Sequence, residues 1–154
     1  MSEAAAPSPA SPSYVSPRAE PALDGDDGRP HVWRTLGWRR THRESGVTAV
    51  QWDAPEDYCF PSPSGPVLQG GLVTALLDAA MGGATWTVLE EDQAFLTADL
   101  RVEFLRTTRP GLITATGTVV RRTRKVVFAA AELHDAAGTQ LAASRCTQVV
   151  LPRG

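Results

Sequence analysis

The fold is decided by residues 70–89, which read GGLVTALLDAAMGGATWTVL. Apolar or small residues recur in this stretch at the spacing of a helix face; they are Leu72, Ala75, Leu76, Ala79, Gly83 and Trp86. The segment is apolar on nearly every side, which is typical of a helix buried over most of its surface. The sequence therefore predicts one long buried helix at the centre of the fold.

Strands are predicted on both sides of this helix. A short β-rich segment, Val47–Trp52, precedes a proline-containing loop at 53–67. After the helix, apolar residues at 96, 98, 100, 102 and 104 alternate with polar ones, which predicts a strand with one buried face. Three more strands are predicted at 112–121, 126–134 and 139–151, with turns at 109–111, 122–125 and 135–138. Long strands beside a helix indicate the α+β class, with a curved antiparallel sheet around the helix.

Such a sheet leaves edge strands that need a partner. Pairing of edges between two subunits would satisfy them, so we expect a homodimer or a dimer of dimers.

Length, charge and cysteine content limit the function classes. The 154 residues fit one domain, and residues 1–30, which hold half of the twelve prolines, are predicted to be a disordered tail before a domain at 31–154. A net charge of −2 argues against a nucleic-acid partner. No apolar run reaches about 18 residues, so no membrane span is expected. The cysteines, Cys59 and Cys146, are far apart, which argues against a thiolate metal site and favours a reducing, cytoplasmic compartment.

Asp78 is the unusual residue of the central helix. It lies between apolar neighbours, and no basic residue occurs between Ser45 and Phe95. Burying an unpaired carboxylate costs several kcal/mol, so a sequence retains one where it is paired, protonated or used. This favours a functional role for Asp78, with a solvent-facing position at the helix edge as the alternative.

The helix opens with Gln69-Gly70-Gly71. Glycines let a ligand approach the backbone closely, and the first amides of a helix lack intrahelical acceptors and lie at its positive end. An oxyanion would be stabilised there. Asp78 lies about 12 Å further along the axis, so one helix cannot bring Gly70 N–H and Asp78 to the same carbon. A second subunit could supply one of the two groups.

Two segments together resemble a known family. Residues 69–82 (QGGLVTALLDAAMG) and 96–106 (LTADLRVEFLR) are similar to motifs of hotdog-fold acyl-CoA thioesterases of the PaaI type, and the resemblance covers about residues 47–151. It implies a hotdog fold and hydrolysis of an aromatic or medium-chain acyl-CoA, with no metal and no bound cofactor.

The resemblance also implies roles for individual residues. Asp78 matches the catalytic carboxylate, as nucleophile or general base; the N–H of Gly70 would polarise the thioester carbonyl; and Thr97 would orient the attacking water. Gln69 replaces the family's usual histidine and still offers an amide donor. Substrate contacts are expected from Gly71, from Ser64 in the preceding loop, and from a basic turn that would hold the coenzyme A phosphates, formed by Arg122, Arg124 and Lys125.

Two other classes of function compete with hydrolysis. The first is a hotdog module that binds acyl-CoA without turning it over, which the replacement at Gln69 favours and the costly carboxylate of Asp78 opposes. The second is a subunit with a mainly structural role in an assembly. Dehydratase chemistry on the same fold is disfavoured because the histidines, His31, His42 and His134, all lie outside the central helix and the loop before it.

Overall fold

The computed structural model describes residues 29–154. The predicted tail therefore lies outside the described residues, except for its last two positions. The elements run in the order α1 (His31–Leu36), β1 (Arg39–Glu44), β2 (Val47–Ala54), a 3₁₀ turn (Glu56–Tyr58), β3 (Cys59–Phe60), β4 (Val67–Leu68), α2 (Gly70–Trp86), β5 (Gln93–Phe104), β6 (Gly111–Arg122), β7 (Val126–Asp135) and β8 (Gln140–Pro152). Among these described elements, no helix is both long and apolar enough to span a membrane.

Six strands form one antiparallel sheet in the order β1-β2-β6-β7-β8-β5, and β3 and β4 form a separate short ribbon. The long helix α2 packs on one face of this sheet, mainly against β6, β2 and β7. Its most deeply buried side chains include Leu76, Leu77 and Met81. The predicted α+β architecture, a sheet around one long helix, is confirmed.

Glycine allows α2 to lie directly on the sheet. A Cβ atom at Gly117 of β6 would stand 2.2 Å from the carbonyl oxygen of Ala80 in α2. A Cβ atom at Gly83 would stand 2.8 Å from Cγ2 of Thr48 in β2. Any side chain at Gly117 would therefore push the helix off the sheet, and the helix carries the candidate carboxylate.

The connection after β5 differs from the prediction. A tight turn at 109–111 would join two neighbouring strands, but β5 lies at the sheet edge beside β8, whereas β6 lies between β2 and β7. Residues 105–110 therefore cross from one part of the sheet to another. Helix α1 and the polar edge strand β1, which reads RRTHRE, were not predicted.

The predicted single buried face of β5 is wrong at both ends, because Leu96 and Ala98 near the start and Phe104 at the end are exposed, and only Leu100 and Val102 are half-buried. The pairing with β8 shifts between Thr97 and Asp99, so that Ala98 is an extra residue in the strand. Leu96 is consequently 65% exposed instead of buried. Thr97 pairs with Gln148, whose side chain is fully buried. The side chain of Thr97 faces α2.

An aromatic cluster closes the core beside β1 and β2. The rings of Trp33, Trp38, Trp52 and Tyr58 follow one another with centroids 6.1, 6.0 and 5.6 Å apart. Edge-to-face and tilted pairs of this kind add to the stabilisation from burial. Three of the four tryptophans thus pack in this cluster, and one of them, Trp33, belongs to α1.

Candidate active site

Asp78 projects from α2 toward the edge strand β5, where it is half-buried. Its Oδ1 atom accepts a hydrogen bond of 3.1 Å from the hydroxyl of Thr97. The structure thus brings together two of the residues that the sequence assigned to catalysis. The hydrogen-bond partner of the Asp78 carboxylate is the hydroxyl of a sheet residue, Thr97, rather than a cationic side chain.

The contact belongs to a longer chain of hydrogen bonds. The side-chain amide of Gln148 on β8 donates to Oγ1 of Thr97 over 3.4 Å, and its carbonyl oxygen accepts from the hydroxyl of Thr85. Gln148 and Thr85 are both fully buried. Thr85 lies seven residues after Asp78, which is two turns along the same face of α2.

The sequence alone identifies neither Gln148 nor Thr85 as part of the site. The sequence does indicate that Gln148 is buried. Every second residue of β8 from Ala142 through Ser144 and Cys146 faces the core, and Gln148 is the next position in this series. A large polar side chain at such a position must find partners.

The N-terminus of α2 presents free amides. The amides of Leu72 and Val73 both donate to the carbonyl of Gln69, over 3.0 and 3.2 Å, so those of Gly70 and Gly71 precede the first intrahelical bond. Gln69 is exposed, and its side chain makes no capping hydrogen bond. The ring of Phe104 lies over Gly70, where a Cβ atom would stand 3.3 Å from it.

A groove of about 460 Å³ runs beside this helix start. Its walls are largely apolar and include Phe60, Val67, Leu68, Val73 and Phe104. Phe104 is 55% exposed. An apolar groove that meets free helix amides can hold an apolar chain with a carbonyl at its end.

Gly70 and Asp78 remain about 12 Å apart along the helix axis, as the sequence indicated. Asp78 lies beside the Thr97 end of β5, whereas Gly70 lies beside its Phe104 end. One protomer therefore offers the amide and the carboxylate at two separate places.

Ser64 is held within its own loop. Arg109 donates to Ser64 Oγ over 3.0 Å and to the carbonyl of Pro66 over 3.1 Å. The hydroxyl of Ser62 donates to the carbonyl of Gly65 over 2.7 Å. Arg109, which the sequence analysis placed only in a turn, thus fixes the loop that leads into α2.

The predicted basic turn divides into two parts. Arg122 is bound to Glu90, at 3.2 Å, and to Gln93 Oε1, at 2.8 Å. Arg124 and Lys125 are exposed between β6 and β7. Val127, two residues after Lys125, pairs with Gln148, which pairs with Thr97, so Val127 lies two strands, or about 10 Å, from Thr97. Two exposed cations therefore lie at the carboxylate's end of the sheet.

Cys146 is a buried free cysteine near this carboxylate. Burial raises the pKa of its thiol to about 11, and the charges of Asp78 and Asp99 contribute in the same direction. Because the thiolate is the reactive form, the neutral thiol behaves as a small apolar side chain.

Comparison with known proteins identifies the family. The family model of the thioesterase superfamily matches residues 65–142, which is half of the chain and contains α2, β5, β6 and the Asp78–Thr97 contact. The chain belongs to the thioesterase superfamily. The predicted family resemblance is thereby confirmed.

A curated relative named as a thioesterase agrees with this assignment. The medium/long-chain acyl-CoA thioesterase YigI of Salmonella typhimurium is 34% identical over 97 residues, which cover 54% of this chain and 63% of the relative. The chain thus matches less than two thirds of that relative's length.

Solved structures of the superfamily show the same fold. A thioesterase family protein from Silicibacter pomeroyi has a TM-score of 0.72 at 25% identity, over 80% of this chain and 90% of its own. A phenylacetic acid degradation-related protein from Ralstonia eutropha has a TM-score of 0.70 at 27% identity, over 79% and 90%. The predicted hotdog fold is confirmed.

Proposed function

We propose that this protein hydrolyses acyl-CoA thioesters and that Asp78 is its catalytic carboxylate. The observation that carries the proposal is the Thr97 hydrogen bond to Asp78 Oδ1 in a member of the thioesterase superfamily. One carboxylate oxygen is fixed by the sheet, and Oδ2 is left to act on a substrate or a water.

The reaction needs an oxyanion site and a base or nucleophile. The amide of Gly70 and the positive end of α2 stabilise the negative charge that develops on the thioester oxygen. If Asp78 acts as a base, it removes a proton from the water that attacks the carbonyl carbon; the C–S bond then breaks, coenzyme A leaves as its thiolate, and the acyl group leaves as a carboxylate. If Asp78 acts as a nucleophile, its attack expels the thiolate and leaves an acyl–Asp78 anhydride, which a water then hydrolyses to release the acyl carboxylate and restore Asp78. No metal and no bound cofactor take part.

Two subunits build each site in this proposal. The 12 Å between Gly70 and Asp78 within one helix requires that Asp78 of the partner subunit approach the Gly70 groove. The edge position of β5 and the exposed side chain of Leu96 support a homodimer joined there, alone or within a dimer of dimers.

Thr97 has a narrower role than the one expected from the family. Its hydroxyl proton points to Asp78, so Thr97 orients the carboxylate, and the carboxylate in turn orients the water. Gln69 is exposed beside the oxyanion site, where its amide can donate to the thioester.

The substrate is an acyl-CoA with an aromatic or medium-length acyl group. The apolar groove beside Gly70 receives the acyl chain, and Gly71 is exposed next to it. The relative named a medium/long-chain acyl-CoA thioesterase supports the aliphatic alternative, and the phenylacetic acid degradation-related protein supports the aromatic one. Arg124 and Lys125 bind the phosphates of coenzyme A, whereas Arg122 is already paired. Ser64 acts through the loop before α2, which Arg109 holds in place.

Thiol release from a panel of acyl-CoAs tests this function. The panel contains phenylacetyl-CoA, benzoyl-CoA and straight chains from hexanoyl to palmitoyl, and we expect turnover of at least one aromatic or medium-chain member. Calorimetry with a thioether analogue, which cannot be hydrolysed, measures binding in parallel. Tight binding of the analogue without turnover of any thioester would support the non-catalytic binding module instead.

A further inference from the structure

The buried amide of Gln148 forms part of a closed path that begins and ends on α2. Thr85 and Asp78 lie on the same face of this helix, two turns apart, and Gln148 on β8 and Thr97 on β5 connect them through three hydrogen bonds. Helix and sheet are thus joined by side chains at the candidate carboxylate.

We propose that Gln148 and Thr85 are positioning residues for the reaction, acting on Asp78 through the hydroxyl of Thr97. The inference rests on the proposed thioester hydrolysis and assigns it two further residues. Neither residue touches the substrate.

The direction of every hydrogen bond follows from the carboxylate. An ionised Asp78 can only accept, so Thr97 donates its one proton to Oδ1. The oxygen of Thr97 is then left as an acceptor, which requires the Nε2 side of Gln148 to face it. The carbonyl side of Gln148 therefore faces Thr85, whose hydroxyl donates to it.

Each hydrogen bond of the path restricts the orientation of the next side chain, and therefore that of the Asp78 carboxylate. A threonine hydroxyl alone can rotate toward another acceptor, and a buried amide alone can turn over. With Thr85 holding one side of Gln148, the other side can only donate to Thr97. Asp78 Oδ1 is consequently fixed at 3.1 Å from its donor, and Oδ2 has one preferred direction.

The free-energy cost of burying the side-chain amide of Gln148 supports a role for this residue beyond packing. Gln148 has no exposed surface, and a polar group in such a place is unfavourable unless it is hydrogen-bonded. The neighbouring core-facing residues of β8, Ala142 and Cys146, are small and carry no such requirement. An apolar side chain at 148 would fill the same space without needing partners.

Substitutions at Thr85 separate positioning from packing. Thr85→Val keeps the shape and removes the donor, and Thr85→Ser keeps the donor. We expect Thr85→Val and Gln148→Leu to lower kcat about tenfold with KM within about twofold, the loss typical of one misplaced hydrogen bond. Thr85→Ser should retain most of wild-type kcat. Ser144→Ala is the matched control, because Ser144 is buried on the same face of β8 but bonds to Met81.

A double-mutant cycle with Thr97→Val decides whether the effect passes through Thr97. Once Thr97 is valine, adding Thr85→Val should lower kcat no further. Losses that multiply, or full activity of Thr85→Val, would overturn the inference.

A second readout does not depend on turnover. The side-chain amide protons of Gln148 should exchange slowly with solvent by NMR, and their signals should shift in Thr97→Val and in Asp78→Asn. Unshifted signals in both variants would refute the path even in an active enzyme. If the signals shift in the two variants but the wild type hydrolyses no acyl-CoA, the path is supported and the proposed function is refuted.

Discussion

The hydroxyl of Thr97 reaches Asp78 because β5 contains one extra residue before Asp99. The register against β8 shifts at Ala98, so Thr97 and Leu100 both face α2 although they are an odd number of positions apart. Regular alternation would place Thr97 on the outer face with Asp99 whenever Leu100 is turned inward. The bulge therefore creates the contact on which the proposed function rests.

Substituting Gly117 should destabilise the fold. In Gly117→Ala the new methyl would stand 2.2 Å from the backbone carbonyl of Ala80, which cannot rotate away. We expect the free energy of unfolding to fall by about 3 kcal/mol, at the upper end for an overpacked core. Urea denaturation measures it. Thr118→Ala, at the exposed neighbouring position, should change the value by less than about 0.5 kcal/mol. Equal stability of the two variants would contradict the close packing of α2 on β6.

Substituting Gly70 should impair the reaction more than the fold. The methyl of Gly70→Ala would stand 3.3 Å from the ring of Phe104 and beside the amide assigned to the oxyanion. Since Phe104 is partly exposed, its ring can move outward, and the unfolding midpoint should change little. The value of kcat/KM should fall about tenfold or more as the amide becomes less accessible.

The control for Gly70 is Ala75→Gly on the exposed side of the same helix. It should cost about 1 kcal/mol of stability and leave kcat/KM unchanged. An unchanged kcat/KM in Gly70→Ala would remove Gly70 from the oxyanion site.

The two cysteines should differ in reactivity. Because burial and the charges of Asp78 and Asp99 raise the pKa of Cys146 to about 11, its thiol stays protonated in the folded protein at about pH 8. Iodoacetamide followed by mass spectrometry should therefore leave Cys146 unmodified. Modification should increase only as the pH rises toward that pKa. Cys59, which is half-buried, should react slowly, since burial and the charge of Glu56 raise its pKa as well.

Unfolding in urea provides the control for this labelling, because both cysteines should then react. Complete modification of Cys146 in the native protein at about pH 8 would show that its surroundings are open to solvent.

A charge at the β5 edge should weaken self-association. Leu96→Lys replaces a side chain that is 65% exposed on the edge strand, and lysine at a sheet edge opposes pairing. We expect the dissociation constant of the dimer to rise about tenfold or more. Light scattering coupled to size exclusion measures it over a range of concentrations. Val32→Lys changes an apolar residue on α1 that is also exposed, at 54%, and should have no effect. Weakening by Val32→Lys alone would place the interface at the opposite end of the sheet.

The sequence predicted the periodic parts of the fold because burial imposes a period on them. Helix α2, the strands β6 to β8 and the turn at 135–138 all follow from local pattern. The helix ends three residues earlier than predicted, at Trp86. The hydroxyl of Thr87 bonds to the carbonyl of Ala84 and to the amide of Gly46, a partner 41 residues away.

The remaining features depend on contacts that local pattern does not encode. The bulge at Ala98 is set by pairing with β8, and the crossover after Phe104 is set by the place of β5 in the sheet. Asp78 could be recognised as a costly carboxylate from its neighbours alone. Gln148 could not be connected with it, because 70 residues separate them and only the sheet brings them together.

The most direct measurement compares hydrolysis by the wild type with that by Asp78→Asn. Asparagine keeps the size of the side chain and can still accept from Thr97, but it can neither attack a thioester nor remove a proton from water. With the best acyl-CoA of the panel, we expect kcat to fall by about 1,000-fold or more while the thermal midpoint and the affinity for the thioether analogue remain. Equal turnover by the two folded proteins would contradict the assignment of Asp78 as the catalytic carboxylate.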